Sequence, residues 1–285
     1  MMHIFQCGRF ELNFKRPLIM GIVNITPDSF SDGGLYETAD LAIAHAFKLI
    51  HEGADILDLG GESTRPGFTP VSEDKEKKRL LPVIEALYNQ NIPLSVDTSK
   101  PEVMRSVLDS GVDMINDVYG FTKTGAMEAV SSSKCGLCIM HIKHQLSKIR
   151  FHNELDLLEL FNEIKNFLEN QKRHLLMSGI HMNRMVFDPG FGFGKTPNQN
   201  YFLLKKISDL KRFCFPLMVG LSRKSMIGAA TGKKVSDRLY GSLSAALTCV
   251  SKGVEILRVH DVAATVDALR VWKSAQQGYV FYESK

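Results

Sequence analysis

Leu18-Ile-Met-Gly-Ile-Val23 runs into Asn24-Ile-Thr-Pro-Asp28-Ser-Phe30-Ser-Asp32-Gly33-Gly34. Beyond it, Ala39–Glu52 has helical spacing and Asp55–Leu59 is a second short apolar run. The order strand, polar loop, amphipathic helix, strand is the unit that decides the fold. Working outward, further strands are expected at Ile92–Val96, Val112–Ile115, Leu137–Met140, Arg184–Phe187, Pro216–Val219 and Glu255–Val259. Helical patterns fall between them at Asp74–Tyr88, Glu102–Ser110, Glu154–Leu176, Asn200–Arg212 and Arg238–Ser251, with Val262–Trp272 after the last strand. The strands are apolar throughout rather than alternating, as parallel strands covered on both faces must be. Helical crossovers demand parallel neighbours. Eight such units predict a (β/α)8 barrel, with the segment from His3 to Phe14 forming a short N-terminal β-hairpin across its bottom. A doubly wound open sheet is the alternative; the absence of GxGxxG after the first strand speaks against it.

The 285 residues carry 35 Lys and Arg against 31 Asp and Glu, a net charge of +4 spread too evenly for a nucleic-acid surface. Lys75-Glu76-Lys77-Lys78-Arg79 reads as a solvated helix face behind a Ser72 cap. No apolar run approaches the ~18 residues of a membrane span, and Met1 to Arg16 is too polar for a secretory signal. Five cysteines without framework spacing point to a reducing cytoplasm, and Cys135-Gly-Leu-Cys138, with no second pair, to core thiols. No linker divides residues 1–285, so a single domain is expected.

Polar residues gather where the strands end, the face on which barrels of this kind do chemistry. Asp97, Asn116 and Asp188 supply acceptors and an amide suited to a guanidine-like edge, such as a 2-amino-4-oxo pterin ring, with Lys224 for its carbonyl or a ring nitrogen. Arg65, Arg258 and His260 supply positive charge, and the last loops with the following helix N-terminus are a phosphate location. Asn24 is an oxygen ligand suited to one position of a phosphate-bound Mg²⁺. Phe30, Pro66 and Phe193, on Gly-rich loops, suit a second, aromatic substrate. Each has a plainer alternative: Ser72, Ser99, Ser222 and Asp261 as helix caps, Arg258 and His260 as structural ion pairs, the aromatic residues as loop packing. His141, after the fifth strand, is a weaker candidate.

Met20–Gly34, Gly61-Glu-Ser-Thr-Arg-Pro-Gly67, Val96-Asp-Thr98, Ile115-Asn-Asp-Val118, Asp188–Lys195, Ser222-Arg-Lys-Ser225 and Arg258-Val-His-Asp261 together closely resemble the dihydropteroate synthase family, in order from about residue 18 to 278. The resemblance implies a TIM barrel in which p-aminobenzoate displaces pyrophosphate from 6-hydroxymethyl-7,8-dihydropterin pyrophosphate. It also implies Mg²⁺ dependence, a homodimer built on the late helices, and sensitivity to sulfonamides. It assigns the pterin pocket to Asp97, Asn116, Met140, Asp188 and Lys224, and the pyrophosphate and metal positions to Thr64, Arg258, His260 and Asn24. Phe30, Pro66, Phe193 and Ser225 match positions around p-aminobenzoate, while Asp32 and Arg65 lie on two loops expected to close over the site. His141–Arg150 departs from the family pattern by lacking its Gly and Pro.

The mechanism this implies is a dissociative substitution, with cations drawing off pyrophosphate and carboxylates favouring the pterin-methyl cation. Two other readings compete. A corrinoid-type methyltransferase barrel needs neither STRPG nor SRKS, and no DxHxxG cobalamin signature is present. A non-catalytic pterin-binding protein is the other.

Overall fold

The computed structural model describes residues 4–25, 35–62, 70–143 and 154–280. A hairpin of β1 (Ile4–Cys7) and β2 (Phe10–Asn13) precedes eight parallel strands. These are β3 (Leu18–Asn24), β4 (Ile56–Gly60), β5 (Leu94–Asp97), β6 (Met114–Asp117), β7 (Gly136–Met140), β8 (Met185–Asp188), β9 (Met218–Val219) and β10 (Ile256–Val259). The pairing order is β8-β7-β6-β5-β4-β3-β10-β9. A single parallel bridge, Phe187 with Leu217, and the bond from Phe187 N to Pro216 O (3.0 Å) close β8 onto β9. The expected barrel is therefore present, with every strand limit within two residues of that predicted.

The helices wrap the outside: α1 (Leu35–His51), α2 (Glu73–Leu87), α3 (Pro101–Asp109), α4 (Ala126–Ser131), α5 (Glu154–Met177), α6 (Pro197–Lys206), α7 (Ser225–Thr231), α8 (Leu239–Ser251) and α9 (Val262–Gln277). Ser72 caps α2 as predicted, accepting from Lys75 N, and a Thr196–Gln199 capping box opens α6. The pattern read as one helix over Asn200–Arg212 divides: α6 ends at Lys206 and a 3₁₀ segment takes over at Ile207–Phe213. The expected solvated face of α2 is a correction. Glu76 and Arg79, three residues apart and thus on one helix face, turn inward and are 1% and 5% exposed. Glu76 pairs with Lys100, which also pairs with Glu62, while Arg79 Nη1 donates to Gly61 O at 2.7 Å. These charges brace the segment after β4.

Inside the barrel, Leu18, Met20, Ile56, Met114, Cys138, Val186, Met218 and Ile256 form one apolar layer with Phe5 and Cys7 of the hairpin. The hairpin thus stoppers the N-terminal end, as a stack of inward side chains requires. Its anchor is Asp113, 1% exposed, whose carboxylate accepts from Arg9 N, Nε and Nη2 at 3.0, 3.0 and 2.9 Å and from Leu94 N at 3.1 Å. Gly8 turns the hairpin at φ +58°, where a Cβ would lie 2.6 Å from Asp113 Cα. All four core cysteines, Cys7, Cys135, Cys138 and Cys249, are unpaired thiols, matching the reading of the CxxC as packing. Asp113→Ala should cost about 2–4 kcal/mol by removing a buried carboxylate that satisfies buried donors. Urea denaturation measures the loss, and the specific activity of the folded fraction should remain; a cost under about 0.5 kcal/mol would contradict this anchoring.

Candidate active site

Side chains on a strand alternate faces, so the inward positions recur every second residue. From the apolar layer the next inward positions are Ile22, Asp58, Asn116, Met140, Asp188, Gly220 and Arg258, then Asn24, Gly60 and His260. β5 adds Ser95 and Asp97. The same parity that fills the barrel bottom with Met and Ile thus fills its mouth with acids, amides and cations. Neighbouring strands bring them level: Asp97 pairs in register with Asn116, and Met140 with Asp188.

The centre of this layer is Asp58, fully buried. Its carboxylate accepts from Ser95 Oγ at 2.6 Å, Asn116 Nδ2 at 3.1 Å and Arg258 Nε at 2.6 Å. Arg258 Nη2 also donates to Asp97 Oδ2 at 2.9 Å. The ion-pair alternative for Arg258 is therefore realised, within the pterin half of the expected site. Its Nη1 makes no bond among the described residues and is available to an incoming anion. Burial works against the Arg258 charge, yet Asp58 and Asp97 more than offset it and hold the group protonated. Asp97 responds the other way: burial, helped by Asp58, outweighs Arg258 and pushes its carboxyl up to about 7.

Asp188, buried at the end of β8, accepts from Gly190 N at 2.7 Å, and burial raises its carboxyl against the opposing charge of Lys224. Lys224 donates to Phe191 O and lies 4.5 Å from the centre of the Phe193 ring. Burial lowers its ammonium to about 8, with Asp188 resisting. Gly192, at φ +81°, lets the chain pass Lys224, since a Cβ there would meet its Cδ at 3.1 Å.

His260 follows β10 with both its N and Nδ1 on Ser222 Oγ, at 3.3 and 3.0 Å. Ser222 thus orients a site histidine rather than capping a helix. Asp261 precedes α9 without a side-chain cap bond and instead holds Arg223 through two bonds of 3.0 and 2.5 Å. Ser99 likewise accepts from Lys123 Nζ, at 2.9 Å, and caps nothing. Ser225 opens α7. Asn24 ends β3 beside Gly60, its Oδ1 being 3.7 Å from where a Gly60 Cβ would stand. No group of three or more His, Cys, Asp or Glu able to hold a metal occurs among the described residues, whereas one amide oxygen fits a cation that arrives with its own phosphate and water ligands. Phe30, Asp32, Thr64, Arg65 and Pro66 lie outside the described residues, as do residues 144–150 of the divergent segment. His141, before that segment, is buried, with Nε2 3.5 Å from Glu163 Oε1.

The structure thus brings together Asp97, Asn116, Met140, Asp188, Lys224, Arg258 and His260, and adds Asp58, Ser95 and Ser222. Asp58 could have been found from the sequence, because it lies two residues after Ile56 on the inward face. The next carboxylate along, Asp117, has the other parity. It closes a turn on Tyr119 N and Phe121 N at 2.9 and 2.8 Å.

The raised carboxyl of Asp97 has a consequence for stability. The folded protein keeps that proton to about pH 7, while the unfolded chain sheds it near 3.8, so stability falls as pH rises between them. Asp97→Asn should flatten that decline in denaturation series across the same window; an unchanged slope would remove the assigned charge state.

Comparison with known proteins fits this arrangement. A family model described as pterin binding enzyme matches residues 20–260. The chain is 42% identical over 279 residues to the dihydropteroate synthase of Neisseria meningitidis serogroup B, covering 95% of this chain and 97% of that one. Xanthomonas albilineans dihydropteroate synthase, solved with 4-aminobenzoic acid, superposes with a TM-score of 0.90 at 44% identity, covering 97% and 99% of the two chains. The Yersinia pestis dihydropteroate synthase, solved as a sulfonamide drug complex, has a TM-score of 0.86 at 39% identity, covering 95% and 98%. With a site of that chemistry at its barrel mouth, the chain belongs to the dihydropteroate synthase family of pterin-binding enzymes.

Proposed function

We propose that this chain condenses 6-hydroxymethyl-7,8-dihydropterin pyrophosphate with p-aminobenzoate to 7,8-dihydropteroate, releasing pyrophosphate, as a single-domain transferase of folate biosynthesis. The observation that carries the reading is the buried set Asp58, Asp97, Asn116 and Asp188 sharing one mouth with Arg258 and Lys224. Buried carboxylates and an amide at this spacing match a planar edge with several N–H donors, whose bonds offset their desolvation.

Asp97 and Asn116, level on adjacent strands, and Asp188 opposite them hold the amino and amide edge of the pterin. Lys224 donates to its carbonyl side, and Met140 packs beside the ring. Arg258, kept charged by Asp58, presents Nη1 to the diphosphate; His260, oriented by Ser222, adds a donor beside the N-terminus of α9. As the C–O bond to pyrophosphate lengthens, these groups take up the charge of the leaving group while Asp97 and Asp188 stabilise positive charge spreading into the pterin. The arylamine then attacks the methylene carbon and loses its proton; being unprotonated near neutral pH, it needs no strong base beforehand. Phe193 and Ser225 form the arylamine side in this reading, and Phe30, Pro66, Thr64, Asp32 and Arg65 keep the roles the family likeness assigns. Asn24 would hold Mg²⁺, which when bound supplies charge neutralisation of the diphosphate.

Sulfonamides compete with p-aminobenzoate at the arylamine side. Pairing of two copies through the late helices is in keeping with the exposed apolar residues Val235, Tyr240 and Val271. A cytoplasmic location is in keeping with five unpaired cysteines and with the absence, among the described residues, of any helix long and apolar enough to cross a membrane.

Pyrophosphate release on mixing the protein with both substrates and Mg²⁺ tests the proposal. Asp188→Ala and Lys224→Ala should each lower kcat/KM at least about tenfold, or ~1.4 kcal/mol. Near-native kinetics in both would remove the pterin pocket from this mouth.

A further inference from the structure

Lys195 is the last residue of Asp188-Pro-Gly-Phe-Gly-Phe-Gly-Lys195 and is 5% exposed. Among the described residues its ammonium makes no ion pair, and it donates to three carbonyls: Gly190 O at 2.8 Å, His141 O at 3.2 Å and Phe193 O at 3.3 Å. Two of these belong to the loop after β8 and one to the segment after β7. The two stretches lie so close that only glycine fits: a Cβ on Gly190 would be 1.9 Å from His141 O, and one on Gly194 2.0 Å from Lys143 O. Asn200 fixes the same loop from α6, donating to Lys195 O at 3.0 Å and accepting from Gly192 N at 2.8 Å.

The groups around the loop are not equally dependent on this clamp. Asp188 is set by the β8 ladder, and Lys224 by the turn that opens α7. Phe193 belongs to no strand or helix. Its carbonyl is held by Lys195 and, at 3.4 Å, by Lys143 N, and its ring faces Lys224.

We infer that Lys195 is a positioning residue for the arylamine substrate: its ammonium ties the segments after β7 and β8 together and so sets the Phe193 ring. The inference rests on the reading of Phe193 as part of the arylamine side. The charge on Lys195 is finely balanced: burial lowers it to about 7, Lys224 and Lys143 act in the same direction, and Asp188 and Glu163 oppose. Among the described residues, His141, itself lowered by burial, is the remaining titratable group beside the clamp. Protonated Lys195 prevails below about pH 7 and is lost above it.

The test is steady-state kinetics of Lys195→Met and Lys195→Gln with each substrate varied in turn, beside Phe193→Ala. The expected result is a KM for p-aminobenzoate raised at least about fivefold, with the KM for the pterin diphosphate changed less than about twofold. Should both variants fail to fold, the wild-type enzyme answers the question at saturating pterin diphosphate. Its KM for p-aminobenzoate should rise between about pH 6 and about pH 8, following loss of the ammonium, and Phe193→Ala, which keeps Asp97 and Lys224 but removes the ring that Lys195 sets, should lose that rise. Equal rises in both KM values, or no rise, overturn the inference. If Phe193→Ala also leaves the p-aminobenzoate KM unchanged, the assignment of the arylamine side fails; if Phe193→Ala raises it and Lys195 variants do not, only the clamp fails.

Discussion

Three carboxylates, those of Asp58, Asp97 and Asp188, are buried at one mouth of a closed barrel, and their charge must be met by something. Isolated, each would be too costly to keep ionised in such surroundings. The protein meets the demand with two cations: Arg258 of β10, bonded to Asp58 and Asp97, and Lys224 in the turn that opens α7, facing Asp188. Asp58 is the best satisfied, with Ser95, Asn116 and Arg258 all donating to it. Asp97 has one donor among the described residues and a strong tendency to keep its proton. An acceptor in that condition is one that gains most from a ligand offering new N–H groups. Stability and function therefore pull on the same residues, a common feature of binding sites built from buried charge.

Much of this was legible in the sequence because a parallel barrel has a simple signature. Strands covered on both faces read as unbroken apolar runs, and a run followed by Gly, Pro and polar residues marks the active rim. Less legible were elements too short to show a helical period. α4 has six residues and α7 seven, so neither completes the repeat that betrayed α1 or α5. β9 has only two ladder residues, and the barrel closes there through one bridge. Glu76 and Arg79 misled because charged residues in a helix normally face water; here a lysine from the β5 end and a backbone carbonyl receive them. Asp58 stands among the polar residues at the strand ends, but its neighbours Leu57 and Leu59 are core and give no sign of what it meets. Inward parity, counted from Ile56, separates it from them.

The rim also shows how one residue type can serve unlike ends. Ser72 caps a helix, Ser99 receives a lysine, and Ser222 orients His260. Sequence supplies the hydroxyl, whereas only the surrounding elements decide what it meets. The glycines of the loop after β8 have a clearer logic. Gly190 and Gly194 are needed because two backbones pass within contact distance, and that closeness is what lets a single lysine reach carbonyls on both. The loop's precision is thus a property of its backbone and one buried cation, with the side chains it displays free to serve the substrate.

The central claim is that the acidic lining receives the heterocycle while the neighbouring cations receive the diphosphate. Diffraction from crystals grown with 6-hydroxymethyl-7,8-dihydropterin pyrophosphate, without the arylamine, measures this most directly. The ring's nitrogen-rich edge should lie within hydrogen-bond distance of Asp97, Asn116 and Asp188, and the diphosphate against Arg258 and His260. A ligand seated outside this mouth, or one with its phosphates against the carboxylates and its ring in solvent, would contradict it.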